Sequence, residues 1–300
     1  MMNSEVDPQN EASAQAQLNR RNFFRQAGML SLGAAASGIV LANGTPARAE
    51  SQSEQSEQSK DTVAEIFTAF LIAEDLATTF YYNGLVGAVI QDPNLAGPGG
   101  SATDVTSAGN VGNVNYVQAA LTEEIEHANF FRMKLTGSAK GASKDPYQTF
   151  YFPAGTFDTL ANFLGILNAL ENAFIGAYVT VIQEFTRKAA KARCGIFDWD
   201  EDRRYSAAEY ELLAKIAGSI LGIESEHRVL GRVIGNNNPA NNLGYEQTDG
   251  LQSIYNGPAS AVVALTPFLT PSTGPGFSLA TALAKQSTVS LPVTGSYPTM

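Results

Sequence analysis

The sequence predicts an all-α protein: a four-helix bundle with one long crossover between helices two and three, followed by an irregular C-terminal extension. Three observations carry this. Four long segments, about 62–90, 115–136, 157–191 and 207–234, place apolar residues at helical spacing. The chain has two histidines, and each follows a glutamate by three places, in Glu124-Ile125-Glu126-His127 and Glu224-Ser225-Glu226-His227. The stretch between segments two and three is long enough to run the length of a bundle.

At the front, Asn19-Arg20-Arg21-Asn22-Phe23-Phe24-Arg25 precedes a weakly apolar stretch from Gly28 to Ala42, and Pro46-Ala47-Arg48-Ala49 supplies an A-x-A cleavage site. Residues 1–49 resemble a twin-arginine (Tat) signal peptide. The resemblance implies passage through the Tat export machinery and a periplasmic or secreted protein. The apolar core, about 15 residues, falls short of the roughly 20 that span a bilayer; a retained N-terminal anchor is the alternative reading. Ser/Gln/Glu repeats make 50–61 a low-complexity linker.

Helix one opens with the capping box Thr62-Val63-Ala64-Glu65. Helix two is expected from Asn115 to Gly137, and the Gly/Asn/Ser-rich loop 91–114 joins it to helix one as an antiparallel neighbour. Residues 137–156, with Tyr147, Phe150, Tyr151 and Phe152, read as extended. Twenty residues reach about 65 Å, so helix three starts at the far end and runs parallel to helix two. It begins after Thr156 or Asp158. Helix four opens with a second capping box, Ser206-Ala207-Ala208-Glu209, and closes at Gly235, giving a bundle over 62–235. Beyond it, 236–300 is rich in Gly, Pro, Ser and Thr, and from Leu251 onward Lys285 is the lone charge. So uncharged a segment is expected to pack on the bundle or to cover a surface used for homo-oligomer formation, with a further helix at about 278–286.

A net charge of −10 and a pI near 4.7, with no basic stripe, argue against nucleic acid as a partner. Cys194 is the single cysteine, which excludes an intrachain disulfide, a CxxC pair and a thiolate metal cage.

The chemistry sits on the histidines. Residues i and i+3 share a helix face, so each Glu-x-x-His aims a carboxylate and an imidazole at one point, a donor set suited to iron, manganese or zinc. The carboxylate-bridged sites of ferritin-like bundles combine two such helices with one inward glutamate from each of the other two. Glu74 lies among Phe67, Phe70, Leu71 and Tyr81, and Glu171 among Leu164, Leu167, Leu170, Phe174 and Tyr178. A carboxylate on an apolar stripe needs a partner, which makes both of them ligand candidates. Glu65 is used by its cap, Asp75 reads as a surface group, and Glu126 and Glu226 point about 100° away from the histidines. Cys194 and Trp199 lie in the loop before helix four, and the sequence assigns them no role.

Glu74 precedes Glu124 by 50 residues and Glu171 precedes Glu224 by 53. Tyr81 and Tyr178 each stand seven places after the single glutamate. The chain reads as two copies of one helix pair. Over about 62–235 it resembles the ferritin-like di-iron carboxylate superfamily, and within it the exported ferritin-like proteins related to desiccation-related proteins. The resemblance implies Glu124 and Glu224 as bridging ligands, His127 and His227 as terminal imidazoles, and Glu74 and Glu171 as terminal carboxylates. It also implies two iron ions, or manganese, reacting with dioxygen or peroxide. Glu123, at i−4 from His127, could by geometry replace Glu124, but helix four has Ile223 at the matching place, which favours Glu124. Tyr81 and Tyr178 are candidate hydrogen-bond donors or radical relays beside the metals. The functions implied are ferrous-iron oxidation or peroxide and oxidative-stress defence by an oxidoreductase of ferroxidase or peroxidase type. The alternatives are iron storage and a desiccation-related structural protein without turnover.

Overall fold

The computed structural model describes residues 61–237, 240 and 264–292. The expected export signal, the linker up to residue 60 and much of the extension lie outside the described residues.

Helix α1 (Val63–Val86) starts at the capping box read from the sequence. The Glu65 N–H donates to the Thr62 hydroxyl at 3.1 Å, and the Thr62 N–H donates to the Glu65 carboxylate at 2.8 Å. The helix stops at Gly87, short of residue 90, and Ala88–Gln91 tighten into a 3-10 turn. Helix α2 (Val111–Thr136) begins four residues before the expected Asn115, because the Asn110 side chain accepts from the Asn113 N–H at 3.2 Å. It ends at Gly137, whose φ of 74° is the left-handed cap that glycine adopts without steric cost. Helix α3 (Leu160–Arg193) is capped by Thr159 rather than by Thr156 or Asp158. Thr156 is used earlier, closing a turn onto the Pro153 carbonyl at 2.7 Å. Helix α4 (Ala207–Ile234) has its Ser206/Glu209 capping box and closes at Gly235 as expected.

Side-chain contacts fix the directions. Phe67, near the start of α1, meets Phe130 and Phe131 near the end of α2 and Phe185 near the end of α3. At the other end of α1, Phe80 stacks on Phe163 at the start of α3 with ring centroids 4.6 Å apart. Both α2 and α3 therefore run antiparallel to α1 and parallel to each other. That parallel pair is what the long crossover makes possible. The architecture is an all-α ferritin-like bundle.

Within the crossover, strand β1 (Thr149–Tyr151) pairs antiparallel with β2 (Gly276–Ser278) of the C-terminal segment, Phe150 opposite Phe277. Helix α5 (Leu279–Lys285) follows at the expected place and packs on α1. Its last described residues lie against α2, where the Leu291 N–H donates to the Thr122 hydroxyl at 2.9 Å.

The apolar interior is split in two. One cluster gathers Phe80, Phe152, Phe157 and Phe163 with Phe268, Leu279, Ala282 and Val289 of the extension. The other gathers Phe67, Phe70, Phe130, Phe131, Tyr178, Phe185 and Leu213. Between them lies a polar layer. Asp75 corrects the sequence reading: it is 1% exposed rather than superficial, and Arg132 of α2 joins it at 3.0 Å while holding Asp145 at 2.7 Å. The reason is that α1 is buried around most of its circumference, so a residue 100° from Glu74 still faces protein.

Candidate metal centre

Each bundle helix brings one glutamate to a common place in the polar layer near its middle: Glu74 from α1, Glu124 from α2, Glu171 from α3 and Glu224 from α4. All four are at most 1% exposed. His127 and His227 lie three residues past Glu124 and Glu224, and the helical repeat brings each imidazole onto the face of its glutamate.

The two histidines see complementary sets of oxygens. His127 Nδ1 lies 3.4 Å from Glu74, 3.4 Å from Glu224 and 3.8 Å from Glu124. His227 Nδ1 lies 3.1 Å from Glu124, 3.4 Å from Glu224 and 3.8 Å from Glu171. Two groups of four donors result, each with its ligand atoms within 4.8 Å of one another: Glu74, Glu124, His127, Glu224 and Glu124, Glu171, Glu224, His227. Glu124 and Glu224 belong to both. All six residues singled out in the sequence are thus brought together.

Both tyrosines reach the layer, crossing from one helix to the other's carboxylate. The Tyr81 hydroxyl of α1 donates to Glu171 Oε1 at 2.5 Å, and the Tyr178 hydroxyl of α3 donates to Glu74 Oε1. Glu123 falls in neither donor group. Its side chain is 42% exposed and its Oε2 lies 2.8 Å from His227 Nε2, the outer nitrogen of the imidazole on α4. Sequence reasoning weighed Glu123 as a ligand and missed this contact. The signal that could have found it is the Glu123/Ile223 mismatch in an otherwise repeated pattern.

Electrostatics in the layer reflect crowding of like charge. Burial, then repulsion from Glu224 and Glu124, push the Glu74 carboxyl well above the usual carboxylate range. Burial, then Glu224, do the same for Glu171. Burial would also raise Glu124, but its contacts with His127 and His227 outweigh that and hold it low. Burial opposes charge on the histidines, yet the surrounding carboxylates leave both with raised values. Tyr81 and Tyr178 are raised by burial and by the carboxylates they face.

Much of this polar surface has no hydrogen-bond partner. Glu74 Oε2, both oxygens of Glu124, Glu171 Oε2, both oxygens of Glu224 and Nδ1 of each histidine are buried without one. Leaving a buried polar atom unpaired costs about 1–3 kcal/mol, more for a charged one, so eight such atoms turned to one place call for a common partner. Four carboxylates and two neutral imidazoles balance two divalent cations, and oxygen with imidazole nitrogen is a donor set for iron or manganese. The residues present can hold metal.

Residues 62–197 match the ferritin-like domain family. The matched ferritin-like domain covers α1, α2, the crossover and α3. It ends before α4, so Glu224 and His227 enter the site on the repeated Glu-x-x-His pattern and on geometry, not on the family match. No curated protein and no solved structure matches the chain.

Proposed function

We propose that this ferritin-like protein holds a dinuclear metal centre, iron or manganese, and acts as an exported oxidoreductase on ferrous iron or peroxide. The observation that carries the reading is the pair of donor groups sharing Glu124 and Glu224. Two shared carboxylates, with one private carboxylate and one imidazole on each side, form the donor pattern of two adjacent ions bridged by glutamates. When bound, such metals supply two-electron redox chemistry toward dioxygen or peroxide.

The remaining work is done by the chain itself. Glu124 and Glu224 would bridge, and Glu74 with His127 and Glu171 with His227 would close the two ends. Tyr178 and Tyr81 orient the terminal carboxylates by donating to one oxygen of each, leaving the second free for metal. The apolar clusters above and below exclude water from the layer, which strengthens every charge interaction inside it. Tat-dependent export rests on the arginine pair Arg20-Arg21 and the leader around it.

Metal analysis of protein recovered from its exported fraction, with oxygen uptake on adding ferrous iron, tests the proposal. The expected result is two metals per chain and turnover. Hundreds of irons per assembly would favour storage, and folded exported protein without metal would favour a structural role. Absence from the exported fraction would remove the export element. Glu171→Ala should lower bound metal with little loss of helix. Unchanged stoichiometry in that variant removes Glu171 from the site.

A further inference from the structure

The six-residue centre is nearly symmetric, and one carboxylate outside it breaks the symmetry. Glu123 Oε2 stands 2.8 Å from His227 Nε2. A carboxylate accepts and does not donate, so that nitrogen carries the hydrogen, and in the neutral imidazole the lone pair is left on Nδ1. Nδ1 is the atom facing Glu124, Glu224 and Glu171. His227 is therefore fixed both in ring orientation and in the tautomer that binds a cation inward. On α4 the corresponding residue, one before Glu224, is Ile223, which has no oxygen to offer. Among the described residues no ion pair engages the outer nitrogen of His127; all its carboxylate contacts are at Nδ1. The His127 side chain is also 13% exposed against 1% for His227.

We propose that the two halves of the centre are inequivalent: the His227 half, positioned by Glu123, is the tight resident site for a divalent cation. The His127 half is the exchangeable one, through which metal enters and leaves. This rests on the dinuclear reading above. Glu123 is a positioning residue acting through His227. Carboxylate partners behind ligating histidines are worth about 10–100-fold in metal affinity, enough to separate two sites that otherwise share their bridges.

Titrating the metal-free full chain with Co²⁺, followed by calorimetry and visible absorption, tests it. The wild-type chain should take two Co²⁺ in two steps about 10-fold or more apart. Glu123→Ala should weaken the tighter step by about 10–100-fold and leave the weaker one unchanged, whereas a general loosening of the bundle would weaken both. His227→Ala should abolish the tighter step and His127→Ala the weaker. Ile223→Glu, which supplies the missing carboxylate, should tighten the weaker step. Two Co²⁺ bound in one step of equal affinity, or a Glu123→Ala variant in which both constants or neither change, would overturn the inequivalence and leave the dinuclear centre standing. One Co²⁺ or none per wild-type chain would overturn both.

Discussion

At the scale of single residues, the six candidate ligands were legible because a charged side chain on an apolar helical stripe has few physical explanations. Glu74 and Glu171 needed no more than that and the two Glu-x-x-His repeats. Asp75 and Glu123 were not legible, for a shared reason. Their roles depend on a partner from another helix, Arg132 of α2 for Asp75 and His227 of α4 for Glu123, and sequence spacing within one helix carries no information about such partners. Tyr81 and Tyr178 stand between these cases: their repeat was visible, while the crossed pairing with Glu171 and Glu74 was not. Each phenol donates to a buried oxygen of a terminal carboxylate, so deleting a hydroxyl frees that carboxylate to rotate. Tyr81→Phe and Tyr178→Phe should each keep the metal stoichiometry and weaken metal binding by roughly 10-fold. A loss of the metals themselves would make the tyrosines ligands instead, and unchanged affinity would make them plain core residues.

At the scale of elements, the capping boxes of α1 and α4 set their starts to the residue, because the box is a local pattern satisfied within four positions. The starts of α2 and α3 were displaced because several Asn, Thr and Asp residues compete there, and the winner is decided by tertiary fit. How closely α1 and α3 approach is likewise tertiary. A Cβ built on Gly84 would lie 2.5 Å from Phe163, a ring already stacked on Phe80 and so unable to retreat. Alanine gains about 1 kcal/mol of helix propensity over glycine, whereas overpacking a closed core costs about 1–3 kcal/mol. Gly84→Ala should therefore be destabilising. Gly222 of α4 is the internal control, exposed and with nothing within 4 Å of an added Cβ. Gly222→Ala should be stabilising by about 0.5–1 kcal/mol. Urea midpoints of the two variants moving in the same direction would show that the α1–α3 approach is not as tight as described.

For the whole molecule, the fold is two apolar clusters bracketing a layer of buried charge, and the stability of the chain should report the state of that layer. The C-terminal segment belongs to this balance. Phe268, Leu279, Ala282 and Val289 complete the cluster around Phe80, and β2 occupies the edge of β1; composition alone suggested packing but could not say on which end. In the metal-free chain, Glu74, Glu171, His127 and His227 hold protons more tightly than their unfolded counterparts do. A group with a raised folded value contributes stability that is complete below its unfolded value, about 4.3 for Glu and 6.5 for His, and that is lost as pH rises through the folded value. Glu124 has the opposite sign, but its contribution is lost only as pH falls toward its low folded value. Between about pH 5 and pH 8 these four dominate together with Asp75, which burial and the neighbouring Asp145 also raise, so the Tm of metal-free protein should fall as pH rises. Metal bound as proposed should reverse the slope, because it would bind the deprotonated ligands and would add about 2.7 kcal/mol at 100 times its Kd. Scanning calorimetry of both forms across that range decides the point. A metal-free Tm that stays level or climbs would mean that the layer does not hold its protons, and a metal-loaded Tm that falls in parallel would mean that the cation binds elsewhere.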